Sequence, residues 1–261
     1  MGWKDAFDYM RGVATKHGVS ADAPREDGGL PLGARIGSLV TLQQTPFIRA
    51  TTNGSLIVPP GPADTTIVAV SKLKLNMAGG LFRFYLATGD VDAKEKFLQV
   101  FCNANNEIVE IMYCSQLARV IPETAEDQDA YTGQAGAGLG DKSYTLWREQ
   151  LADTLDEADL QLVFGNADRL DYGRDAGDAN DDFIVPFQGS ETRIDDAAGI
   201  AGLQQEMYFM PYSRQLGGGG TEHLLITTEI INSVNGDPSR RGIHVDFVIG
   251  IPLEFERVVI Q

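Results

Sequence analysis

The sequence predicts an α+β protein, predominantly antiparallel β-sheet arranged as meanders and hairpins, with a few short helices. Three observations carry that expectation. Short runs rich in β-branched and aromatic residues recur along the chain, separated by Gly, Pro, Asn and Asp. Turn-forming clusters at 76–80 (NMAGG) and 103–106 (NANN) fall between consecutive runs, as hairpin turns do. Segments of helical period are few and short.

The elements follow in order. Residues 1–18 read as an amphipathic helix. Trp3, Phe7 and Met10, with Val13 or Ala14, recur at spacings of three and four and so share one face. Residues 19–33 have the Gly, Pro and charge content of a linker. Trp3, Phe7 and Met10 are therefore partner-docking candidates. A strap over the main domain and a contact with a membrane surface are the other uses of a tethered amphipathic helix.

Residues 34–261 read as a single β-rich domain with an acidic helix/loop insertion at about 121–182. Up to Val120 the runs VTLQQ, GSLIV, TTIVAVSKLKL, GLFRFYLA, KFLQVFC and EIVEIMYC read as strands. Residues 121–140 form a polar loop. Residues 141–152 (DKSYTLWREQLA) read as a helix, capped by Asp141 or Ser143, with Tyr144, Leu146, Trp147 and Leu151 as its apolar stripe. Residues 153–182 are acidic, interrupted by LQLVFG. Strand-like runs resume with DFIVPF, EMYFMPYSR, TEHLLITTEII and GIHVDFVIGIPLEFERVVI, the last two joined across Asn235-Gly236.

Charge narrows the function classes. The chain of 261 residues carries 37 acidic and 21 basic side chains, a formal charge of −16. Residues 121–200 alone hold 19 acidic and five basic groups, which is nearly all of the excess. Such a surface repels phosphate backbones, so nucleic acid is excluded as a partner. Anionic lipid is disfavoured for the same reason. A basic protein, a polyamine or a divalent cation would be attracted, and solubility alone is the plain alternative. Cys102 and Cys114 sit in apolar runs without a disulfide framework, which points to buried free thiols and a reducing cytoplasm. The N-terminus has no continuous apolar stretch of the signal-peptide kind. No apolar run approaches the ~20 residues of an integral membrane segment, and peripheral association through the first helix stays open.

The chemical motifs are fragments. Residues 136–143 (GAGLGDKS) resemble a phosphate loop, but Asp141 stands where that loop needs glycine and would oppose phosphate. In 171–182 (DYGRDAGDANDD), Asp178, Asn180 and Asp182 fit the first positions of a calcium loop. Phe183 and Gly189 occupy the positions that need Gly and Glu, which excludes an EF-hand. A looser cation site from Asp175, Asp178, Asp181 and Asp182 is the remaining metal candidate, set against a solvated loop. His223 and His244 lie on adjacent long strands, where a two-histidine site could be completed by Glu229 or Asp246; a core or surface-lining role is the alternative. There is no H-E-x-x-H, C-x-x-C or G-x-S-x-G. The sequence assigns no catalytic residue and no cofactor. Gly217 to Gly220 read simply as a mobile loop.

Several segments resemble one family. GLPLGAR (29–35), LFRFYLATGD with KEKFLQVF (81–101), EMYFMPYSR (206–214) and GIHVDFVIGIPLEFERVVIQ (242–261) are similar to the YjfK-like family, uncharacterised bacterial proteins of unknown function. Its members are found near genes for a phage-shock-type membrane-stress protein, small membrane proteins and a glutathionylspermidine-synthase-like ligase. The resemblance implies an accessory role in a membrane-stress system and brings no site residues. The expectation is a non-catalytic cytosolic adaptor that binds basic protein partners through its acidic surface. The alternative is a binder of, or enzyme on, a cationic small molecule such as a polyamine or a divalent cation.

Overall fold

Hairpins close where the Asn- and Gly-rich clusters stand, and antiparallel ladders join every strand pair. The computed structural model describes residues 25–61, 63–88, 94–200, 202–231 and 242–261. The expected N-terminal helix with Trp3, Phe7 and Met10, residues 19–24 of the linker, and the Asn235-Gly236 turn lie outside the described residues.

Strand β2 (Asp64–Leu75) turns back into β3 (Gly80–Leu86), and β4 (Lys96–Cys102) into β5 (Ile108–Val120). The ladder continues from β5 to β11 (Gly242–Leu253), β10 (Thr221–Ile231) and β9 (Gly202–Gln215). Strand β8 (Phe187–Ile194) then pairs with β9 on one side and with β2 on the other. That last pairing closes the sheet into an eight-stranded antiparallel barrel. Two short pairs extend it: β1 (Leu39–Leu42) with β12 (Val258–Ile260) beside β2, and β7 (Arg169–Arg174) with β6 (Ser143–Trp147) beside β9. Gly189 permits the closure, because a Cβ there would collide with the Lys74 carbonyl of β2.

This corrects the fold class. The protein is mostly β, 47% strand against 16% helix, so it is not the α+β architecture expected. Its α-helices among the described residues are α1 (Thr45–Thr52), α2 (Ala125–Thr132) and α3 (Glu157–Phe164), of eight residues each. A sheet closed on itself buries one face in its own interior and needs no helical layer to cover it.

Alternation sorts the side chains onto two cores. Ala69, Leu73, Leu81, Tyr85, Phe97, Met112, Cys114, Met207, Phe209, Leu225 and Val248 point inward and fill part of the barrel. The intervening positions, among them Phe84, Leu98, Tyr113, Met210, Leu224 and Ile249, point outward into a second cluster. The acidic 121–182 segment covers that outer cluster with Leu139, Leu146, Leu160, Phe164 and Tyr172. Each such buried side chain contributes roughly 1.5–3 kcal/mol relative to exposure. Both cysteines are free and buried, and burial raises both thiol pKa values.

Three local expectations change. Residues 141–152 form no α-helix. They form β6 and a 3₁₀ turn at Arg148–Leu151. Tyr144 and Leu146 share one face of β6, which pairs with β7, and the Tyr144 ring packs on Tyr212 and Phe247, while Trp147 is 42% exposed. The GSLIV run at 54–58 joins no ladder, and three of its amides find side-chain acceptors. Leu56 N donates to Glu222 Oε2 at 2.7 Å, Ile57 N to Ser55 Oγ at 3.1 Å and Val58 N to Ser115 Oγ at 3.0 Å. Of DFIVPF, Phe183 makes one bridge to Asp141, and β8 begins only at Phe187.

Candidate functional site

Inside the barrel, the inward stripe turns from apolar to charged toward the end where β10 finishes and β11 starts. The strands set this by simple alternation. Arg83 lies between Leu81 and Tyr85, Thr227 and Glu229 follow Leu225, and His244 and Asp246 precede Val248. A β-bulge in β5, opposite Phe247 and Val248, brings both Gln116 and Arg119 onto the inner face, three residues apart.

The charges are matched. Arg83 donates through Nη2 to Thr227 Oγ1 at 2.9 Å and through Nε to Gln99 Oε1 at 3.2 Å, with Nη1 3.8 Å from Glu229 Oε1. Glu229 Oε2 meets His244 Nε2 at 2.7 Å. Asp246 accepts from Gln116 at 2.7 Å and from both arms of Arg119 at 2.6 Å. Glu191 accepts from Gln205 at 2.8 Å and Tyr85 at 3.2 Å. Arg193 stacks on the Tyr85 ring and pairs with Glu95 at 2.8 Å.

Burial and neighbours act on the carboxyls in opposite senses. Burial opposes ionisation of Glu191, but Arg83, the Gln205 amide and Arg193 outweigh it and hold its pKa below the ordinary value. Burial and the charge of Glu191 push Glu229 above its ordinary value, with His244 pulling the other way. Burial also raises Tyr85. One oxygen or nitrogen from each of Glu229, His244 and Asp246 lies within 4.8 Å of the others, a donor set that suits a divalent metal. The Arg119 fork and the Arg83 and His244 contacts already engage those carboxylates. An incoming cation would therefore have to displace guanidinium groups.

The two histidines do not meet. In the β10–β11 register, His244 faces Glu229 and His223 faces Gly250, six residue pairs away. His223 Nδ1 instead lies 3.1 Å from Asp175 Oδ2 at the other end of the barrel. Glu110 belongs to the same group. Burial raises its carboxyl, His223 counters this, and Asp175 adds to it.

A family model for proteins of unknown function, DUF2491, matches residues 13–258. The chain belongs to the DUF2491 family. Like the resemblance read from the sequence, the match spans most of the chain and comes without an assigned activity. No curated protein and no solved structure matches the chain.

In this DUF2491 protein the 121–200 acidity lies on the outside. Of its 19 carboxylates, 15 are exposed. A few serve local structure: Asp156 Oδ1 caps α3 by accepting from Asp159 N at 2.9 Å, and Glu157 and Asp159 sit in the first turn, where the helix dipole favours them. The proposed cation residues divide. Asp175 turns to His223, while the backbone carbonyls of Asp178 and Asp181 converge on Arg174, at 2.9 and 2.7 Å. Asp178 Oδ1 accepts from Asn180, and Asp181 and Asp182 are exposed. The sequence reading missed Arg83, Arg119, Glu191 and Arg193. The signal available was charged residues at period two inside otherwise apolar strands, as in HVD at 244–246. Among the described residues, no helix is long and apolar enough to cross a membrane.

Proposed function

We propose that this DUF2491 protein is a non-catalytic cytoplasmic adaptor that binds basic protein partners through its outer acidic face. One observation carries the reading: 15 of the 19 carboxylates between residues 121 and 200 are exposed, whereas the interior carboxylates are consumed by arginine, histidine and glutamine. An unmatched acidic surface attracts basic partners and speeds encounter. The YjfK-like resemblance supports an accessory role in a bacterial membrane-stress system. The second reading, a binder of or enzyme on a polyamine or divalent cation, is favoured by the Glu229, His244 and Asp246 cluster.

One experiment separates them. The full chain and a variant carrying Asp153→Asn, Glu157→Gln, Asp159→Asn and Asp168→Asn are used as bait at low and high salt. Any captured protein is then purified and titrated. The adaptor reading expects a basic partner whose affinity falls steeply with salt and is weaker for the variant. Salt-insensitive binding that ignores the variant overturns it. Absence of any partner, with thermal stabilisation by zinc or spermidine, moves the assignment to the second reading.

A further inference from the structure

Outside the barrel, a half-open cleft of about 200 Å³ lies between α1, the glycine turn that joins β9 to β10, and the end of β11. Its floor is apolar, with Ala50, Leu216 and Ile251, and Arg49 and Arg257 line it as well. Positive charge here runs against the rest of the molecule. Eight of the described arginines are ion-paired to carboxylates. Arg49 has no carboxylate partner among the described residues. Only its Nη2 is engaged, by the carbonyls of Gly218 and Gly219 at 3.2 and 3.5 Å. A guanidinium has five N–H donors, so most of its capacity is uncommitted. Arg257 is fixed beside it by Glu254 at 2.6 Å and Gln43 at 3.1 Å. With Glu254 offsetting one of the two arginines, the cleft carries one net positive charge.

Gly219 and Gly220 of the four-glycine turn form one wall. The turn is closed by Leu216 N to Gly220 O at 2.9 Å and Gly219 N to Leu216 O at 3.2 Å. Gly219 and Gly220 hold φ of +77° and +118°, and a Cβ on Gly218 would strike Asn53. A side-chain-free wall leaves the space above the apolar floor open.

We propose that this cleft binds a small organic anion with an apolar body, its carboxylate or phosphate-ester head on Arg49 and Arg257 and its tail on the floor. Charge-assisted hydrogen bonds to guanidinium favour such heads, and pockets of this kind combine an apolar lining with a few polar anchors. The proposal is independent of the acidic-face reading.

The test titrates the full chain with sodium octanoate, octyl phosphate, octylamine and octanol, following the amides of Gly219, Gly220 and Thr221 by NMR. The expected result is saturable shifts with the anions alone, roughly tenfold weaker in Arg49→Gln and weaker again when Arg257→Gln is added. Preference for octanoate or octyl phosphate supports the site and names its head group. Equal shifts from octanol or octylamine, or an Arg49→Gln chain that binds as the parent does, would overturn it. Arg49 is exposed, so this variant keeps the fold, and its spectrum away from the cleft verifies that.

Discussion

The barrel interior and the outer acidic face are made from the same chemistry under opposite conditions. Inside, Glu191, Glu229 and Asp246 are buried, and each is met by a guanidinium, an imidazole or an amide. Outside, most carboxylates of 121–200 face water, with scattered surface pairs such as Arg148–Glu157 at 2.7 Å. Leaving a charge buried alone costs several kcal/mol, so interior carboxylates persist only as members of matched sets. A solvated carboxylate costs almost nothing unmatched and stays available to a partner. Counting charges does not separate the two populations; burial and partners do.

The sharpest test of that contrast removes one interior cation. Arg83→Leu leaves Glu229 with His244 as its partner and weakens the hold on Glu191. The expected destabilisation is about 3–5 kcal/mol by urea unfolding, and a loss near that of an ordinary surface change would break the comparison. Glu229 sharpens it by pH. Its folded pKa is raised, so its stabilising contribution is complete below the unfolded value of about 4.3 and declines as pH rises through the folded value. Glu229→Gln should therefore flatten the fall in stability on the alkaline side of pH ~4.3. Glu191, held low, has the reverse sign, contributing above that value and losing its contribution as pH falls. The smallest effects belong to the face. Asp156→Ala removes a helix cap and should cost about 1 kcal/mol. The Asp153→Asn and Asp168→Asn changes should stay within about 0.5 kcal/mol in the same urea unfolding. A large loss from the latter pair would mean that the face is structural after all.

Much of this was legible in the sequence. The β2–β3 and β4–β5 hairpins announce themselves through NMAGG and NANN, and the long apolar runs of β9, β10 and β11 through β-branched and aromatic residues. Closure was not legible. Strand β8 reads FQGSETRI, with glycine mid-strand and with Glu191 and Arg193 on its inward face. That polarity looks like a solvated edge until Arg83 and Gln205 are seen opposite it. The 141–152 segment misled for a related reason, since Tyr144, Leu146, Trp147 and Leu151 fit a helical stripe and also a short strand followed by a turn. The charged cluster was half visible. The expected two-histidine site named His244 with Glu229 or Asp246 but joined it to His223, which lies at the other end of the barrel, and the arginines that neutralise the cluster arrive from strands far away in sequence. The bulge that turns Arg119 inward leaves no local sign.

The closing pair also sets a timetable. Leu75 binds Gly189 and Val70 binds Ile194, partners made more than a hundred residues apart. At ~5–20 residues per second of synthesis, one flank of β2 waits roughly 5–25 s on the ribosome before its neighbour exists. During that interval the growing chain presents an unsatisfied row of amides and carbonyls beside Val70 and Leu73. Until β8 emerges that edge of β2 is open to pairing with other chains, and a chain that ends short of residue 187 keeps it open.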